Sequence, residues 1–160
     1  MAFFQNRDKG FTLLELMIAI AIVGVLAAIS IPTMQPFMAQ RRLNGAARQI
    51  YSDMAAMRIR AISENKWIAM VIDNNHTYSI FRDNAQSGSK TSSGNQILNV
   101  KDIHQTYQDV YISTNPGTIV LFKPDGTSNS STITTITLNS ISVTGTKSLT
   151  INTSGNIQIN

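Results

Sequence analysis

Glu15 is a carboxylate in a segment that otherwise suits lipid. Residues 11–31 read FTLLELMIAIAIVGVLAAISI, apolar or small apart from Thr12, Glu15 and Ser30. Insertion scales put such an acid at roughly +2.5 to +3.5 kcal/mol near the centre of a bilayer. Glu15 lies one turn inside the run, so reaching for headgroups is its simplest role. Its context adds a second possibility, because a Gly10-Phe11 bond stands four residues upstream, directly after Arg7-Asp8-Lys9.

Other chemistry is hard to assemble. His76 falls in a predicted turn and His104 in a predicted loop, and no His-x-x-x-His or clustered-carboxylate pattern surrounds either. Both read as surface histidines. Serine and threonine are abundant, yet no Gly-x-Ser-x-Gly or Ser-x-x-Lys context marks a nucleophile. Asp125 sits in a Pro-Asp-Gly turn, which accounts for it, and the Asp/Asn-rich turns lack EF-hand spacing for calcium. Cysteine is absent, which removes disulfides, thiolate nucleophiles and zinc-thiolate sites. We expect no catalytic, metal or cofactor site, and the chain does not read as an enzyme.

The elements that must carry Glu15 follow from the pattern. A helix of residues 11–31 spans roughly 31 Å, about one hydrocarbon core. The run is too long for a cleaved secretory signal, and Pro32-Thr33-Met34 offers no small-x-small exit. Arg7 and Lys9 ahead of it favour a cytoplasmic N-terminus, with the rest of the chain on the far side. Beyond it, Leu43, Ala47, Ile50, Met54, Met57 and Ala61 recur at helical spacing, predicting an amphipathic continuation to about Asn65-Lys66. Arg41, Arg48, Ser52, Arg58 and Glu64 fall off that stripe.

Short apolar runs with turn punctuation then predict strands at 67–72, 77–82, 110–113, 118–123, 132–138, 140–144, 148–152 and 156–160. Residues 73–76 read as a hairpin turn, and 83–96, DNAQSGSKTSSGNQ, as a mobile polar loop. The expected class is α+β: a long N-terminal helix, half transmembrane and half amphipathic, packed on an antiparallel β-sheet domain. The expected divisions are 1–10 leader, 11–32 transmembrane helix, 33–66 amphipathic continuation and 67–160 β-rich domain.

Lys9 to Pro32, KGFTLLELMIAIAIVGVLAAISIP, resembles the prepilin signature of type IV pilins and type II secretion pseudopilins. A short basic leader, Gly10, Phe11, Thr12-Leu13-Leu14-Glu15, an apolar helix and Pro32 all fall in register. The resemblance implies that a membrane aspartyl peptidase cuts after Gly10 and methylates the new amine of Phe11. It also implies that Glu15 pairs with the Phe11 amine of a neighbouring subunit, sparing both groups part of their desolvation, and that Gly24 and Pro32 loosen the helix in a filament. Partners would be the prepilin peptidase/N-methyltransferase, other pilins or pseudopilins, an inner-membrane assembly platform and the lipid bilayer. The chain would sit in the inner membrane as a single pass, its C-terminal domain outside the cytoplasm, before entering a filament in the periplasm or at the surface.

Residues 48–54, 60–65, 68–72, 121–127, 135–138 and 148–157 further resemble the GspH/FimT-type minor pilins and pseudopilins, implying a role in priming or tip assembly. A major structural pilin and a DNA-capturing minor pilin are the alternatives. Some FimT-type proteins bind DNA through arginines after a C-terminal glycine, whereas Gly155-Asn156-Ile157-Gln158 carries no base. The net charge of +4 concentrates instead at the leader and at Arg41, Arg42, Arg48, Arg58, Arg60 and Lys66, against Asp53 and Glu64. A basic helix face next to an anchor fits anionic lipid or neighbouring carboxylates better than nucleic acid.

Overall fold

The computed structural model describes residues 10–128 and 133–160, without the side chains of 30–33. Two compact units divide it, Met1–Phe37 and Met38–Asn160. A single secondary-structure element, α1 (Leu13–Glu64), contributes to both.

Among the described residues of the N-terminal unit the apolar side chains are exposed. Leu13, Leu16, Ile20, Val23, Leu26 and Ile29 are all more than half exposed. Among the described residues no single helix is long and apolar enough to cross a membrane, but Leu13–Ile29 taken with Met34–Glu64 passes by length and composition.

The second unit is built on the predicted stripe. Leu43, Ala47, Ile50, Met54, Met57 and Ala61 are all buried. Each of the larger ones contributes roughly 1.5–3 kcal/mol by leaving water. The helix closes in a Schellman motif: Asn65 takes a left-handed φ of 52°, the Asn65 N–H donates to the Ile62 carbonyl at 3.3 Å, and the Lys66 N–H donates to Ala61 at 3.1 Å. Asn tolerates that conformation because its short side chain bonds locally.

Among the described residues eight strands form two antiparallel sheets, within the α+β class expected. The strands are β1 (Ile68–Ile72), β2 (Thr77–Arg82), β3 (Gln96–Asp102), β4 (Val110–Ile112), β5 (Ile119–Phe122), β6 (Thr134–Ser140), β7 (Thr146–Ile151) and β8 (Ile157–Ile159). The orders are β3-β2-β1-β5 and β4-β6-β7-β8. The helix stripe meets Met70, Tyr78 and Phe122 of the first sheet and Ile112, Ile136, Leu138 and Leu149 of the second in one core. A smaller cluster, Ala69, Val71, Phe81 and Leu121, lies on the other face of the first sheet.

Three local expectations change. No separate strand runs over 140–144, since β6 ends at Ser140 and 141–145 is the turn into β7. The run Gln96–Asp102, left without an element by the sequence reading, is β3. A register shift opposite Ile80/Phe81 disrupts its alternation, and its exposed edge position demands few apolar residues. Residues 83–95 form a bonded loop. Asp83 is buried, and its carboxylate accepts from the N–H groups of Ser87 (3.1 Å) and Gly88 (2.7 Å) and from Asn95 Nδ2 (2.8 Å). Lys90 pairs with Asp73 at the loop's far side. One buried carboxylate orders this polar segment, whose one apolar residue is Ala85.

Candidate functional site

Thr12 and Glu15 open α1 as a capping box. The Thr12 carbonyl takes the first helical bond, from the Leu16 N–H at 3.2 Å. The Glu15 N–H donates to Thr12 Oγ1 at 3.2 Å, and Glu15 Oε2 accepts from the Thr12 N–H at 3.2 Å and from its hydroxyl at 3.3 Å. Each residue satisfies a backbone donor that the helix start leaves orphaned. Glu15 therefore has a partner inside its own chain, one residue from Phe11. The sequence reading singled out Glu15 and missed the box, although Thr-x-x-Glu ahead of an apolar run is its signature.

Phe11 is 88% exposed. Among the described residues a Cβ built on Gly10 or on Gly24 meets nothing within 4 Å, and Gly24 has no positive φ. No described neighbour restricts the space at those two positions. The leader residues Arg7, Asp8 and Lys9 lie outside the described residues, as does the side chain of Pro32.

Most of the basic set is engaged. Arg42 pairs with Asp109, Nε to Oδ1 at 2.5 Å, and Arg58 Nε donates to the Gly126 carbonyl at 2.9 Å. Arg60 and Arg82 both hold Glu64, at 2.6 and 2.5 Å. Hydrogen bonds from Arg82 first, then Arg60, keep the Glu64 carboxyl below its usual range. Lys101 bonds Asp53 at 2.6 Å, and Lys123 lies over the Trp67 ring. A helix face with Arg42, Arg58 and Arg60 already engaged offers less to phosphates than its composition suggested.

Burial pushes the Asp109 carboxyl up, but the Arg42 hydrogen bond, backbone and Ser140 donors and the Arg42 charge outweigh it and hold it low. Among the described residues no three His, Cys, Asp or Glu side chains gather to hold a metal. His76 and His104, expected as separate surface residues, come together with ring centroids 4.7 Å apart.

Comparison with known proteins agrees with this geometry. Residues 5–31 match the family described as prokaryotic N-terminal methylation motif. Residues 46–155, well over half of the chain, match the family described as type II transport protein GspH. The chain is 38% identical to the fimbrial protein EcpC of Eikenella corrodens over 85 residues, covering 42% of this chain and 56% of that protein. It is 41% identical to the type IV major pilin protein PilE1 of Neisseria gonorrhoeae over 63 residues, covering 39% of this chain and 38% of that one. Both matches span less than two thirds of the relative. The crystal structure of the type IV minor pilin FimU of Pseudomonas aeruginosa superposes with a TM-score of 0.57 at 22% identity, covering 78% of this chain and 92% of that one. At that identity the likeness speaks for the fold, a long N-terminal helix on antiparallel sheets.

Proposed function

The chain belongs to the GspH family and carries the prokaryotic N-terminal methylation motif, and from that premise we propose that it is a minor pilin or pseudopilin, built to be cut from its leader and packed into a filament. The prepilin peptidase removes residues 1–10 after Gly10 and methylates the Phe11 amine. The exposed apolar half of α1 is the anchor before assembly and the packing surface after it. In the filament Glu15 leaves its bond to Thr12 and pairs with the Phe11 amine of a neighbouring subunit. Two charges that would each be costly in lipid then offset one another. Gly24, with open space around it, and Pro32 give the helix room to loosen. The family is one of filament subunits, and the chain's task is mechanical: priming or capping a type II secretion or type IV pilus filament.

One observation carries the reading. A carboxylate stands at the third residue of α1, in a stretch, 13–29, that is otherwise apolar and exposed, shortly after a Gly-Phe bond. Intact-mass and N-terminal peptide analysis of the chain from cells with active prepilin peptidase tests it. The expected first residue is N-methylated Phe11, and a mature chain beginning at Met1 or Ala2 would refute it. The partial matches to fimbrial and major pilin proteins favour a second reading, a shaft subunit. Copy number equal to the main filament protein would establish that reading against the minor one.

A further inference from the structure

Two imidazoles meet where the two sheets are joined. His76 ends the turn between β1 and β2, and His104 lies in the short 3-10 turn Ile103–Gln105 between β3 and β4. Their centroids are 4.7 Å apart with the planes inclined at 58°. His104 is exposed and His76 half-buried, so neither ring is there to fill the core. Among the described residues neither ring has a hydrogen-bond partner.

The backbone beneath both rings is fixed independently of their contact. Asn74 Oδ1 accepts from the His76 N–H at 2.8 Å and from the Thr77 N–H at 2.9 Å. Asp102 Oδ1 accepts from the His104 N–H at 2.8 Å. The Ile103 N–H donates to the His76 carbonyl at 2.9 Å, and the Ile112 N–H of β4 to the Asn75 carbonyl at 2.7 Å. Two fixed backbone segments thus hold two imidazoles without hydrogen-bond partners side by side.

We propose that His76 and His104 form a two-imidazole site for a late first-row divalent cation, with zinc as the reference ion and water completing its shell. Neutral imidazole nitrogen is the ligand such ions favour over the oxygen shells of magnesium or calcium. A metal about 2.0–2.1 Å from one nitrogen of each ring, at a near-tetrahedral angle, sets the centroids about 5 Å apart. The observed 4.7 Å is close to that spacing. Asp102, whose carboxylate already lies at the backbone of His104, adds a negative charge beside the ion. Asp73 and Lys101 are engaged elsewhere, with Lys90 and Asp53. A bound ion would staple the β1–β2 turn of the first sheet to the segment leading into the second, stabilising the folded state by mass action. The site is independent of the filament reading.

Zinc chloride titrated into the untagged full-length chain in detergent micelles, by calorimetry and by thermal unfolding, tests it. The expected result is one zinc per chain, a rise in the unfolding midpoint, and affinity weakened at least about ten-fold by either His76→Gln or His104→Gln. Magnesium should give no shift. Wild-type zinc affinity in the His104→Gln variant, or no zinc binding by the parent chain, would overturn the proposal. His104 is exposed, so its variant is expected to fold, and its unfolding midpoint without zinc checks that.

Discussion

Arg58 reaches out of α1 and donates from Nε to the carbonyl of Gly126 at 2.9 Å. The same guanidinium approaches the Ser154 carbonyl at 3.4 Å. Two tight turns, one after each sheet's late strands, therefore meet over one helix side chain, and the meeting is close. A Cβ on Gly155 would stand 2.1 Å from the Gly126 carbonyl oxygen.

Gly155→Ala is expected to destabilise the β-rich unit well beyond about 1 kcal/mol, because a positive φ of 75° and a clash with backbone act together. Gly94→Ala is the control: its φ is 88° but its Cβ would meet nothing, leaving only the conformational term of about 1 kcal/mol. Denaturant midpoints of the two variants check this, and equal losses would remove the close approach as a cause.

The acid limb of stability follows from Asp109. Its carboxyl titrates lower in the folded chain than in the unfolded one. The folded state then binds fewer protons, so the contribution is complete above the unfolded value of about 3.9 and is lost as pH falls through the lower folded value. Glu64 and Asp125 shift the same way, held by Arg82 and by Thr127 respectively. Thermal midpoints from neutral pH down to about pH 2.5 should fall most steeply below about pH 4, and Asp109→Asn should flatten that slope.

The alkaline limb belongs to Tyr78, whose hydroxyl donates to Asp53 Oδ2 at 2.5 Å. Burial first, then the bond to Asp53 and its charge, push the phenol far above its ordinary range. Its contribution to stability is present below the unfolded value of about 10 and declines above it. Ultraviolet titration to about pH 11 should give the same tyrosinate absorbance in Tyr78→Phe as in the parent. A smaller amplitude in the variant would contradict the burial argument.

Thr12→Val should free the first turn of α1, at a cost of about 0.5–2 kcal/mol locally, while Thr12→Ser keeps the box. Amide exchange at Leu13–Glu15 in micelles is the measurement. Equal protection in both variants would mean that the box does not hold the helix start.

Much of this was readable from residue types, and what was not had physical reasons. The stripe from Leu43 to Ala61 was legible because a half-buried helix repeats its apolar residues at 3.6. The hairpin around Asp73–His76 was legible because its turn chemistry is local. β3 was missed because its register shift breaks alternation and its edge exposes Ile97 and Val100. The split into two sheets depends on long-range pairing such as β1 with β5, which no local pattern carries. The loop at 83–95 looked unstructured because its order comes from one carboxylate and several backbone donors, and composition does not register geometry. At the candidate site the motif drew attention to Glu15, whereas its bond to Thr12 was overlooked although Thr-x-x-Glu signals it.

Glu15→Gln is the most direct test of the account. Glutamine keeps the capping-box geometry and removes the charge alone, so helix start and charge pairing are separated. Sheared filaments from cells producing the variant should contain little of it, while its membrane level and its cleavage after Gly10 stay at the parent's values. Incorporation equal to that of the parent chain would contradict the pairing of Glu15 with a neighbouring Phe11 amine.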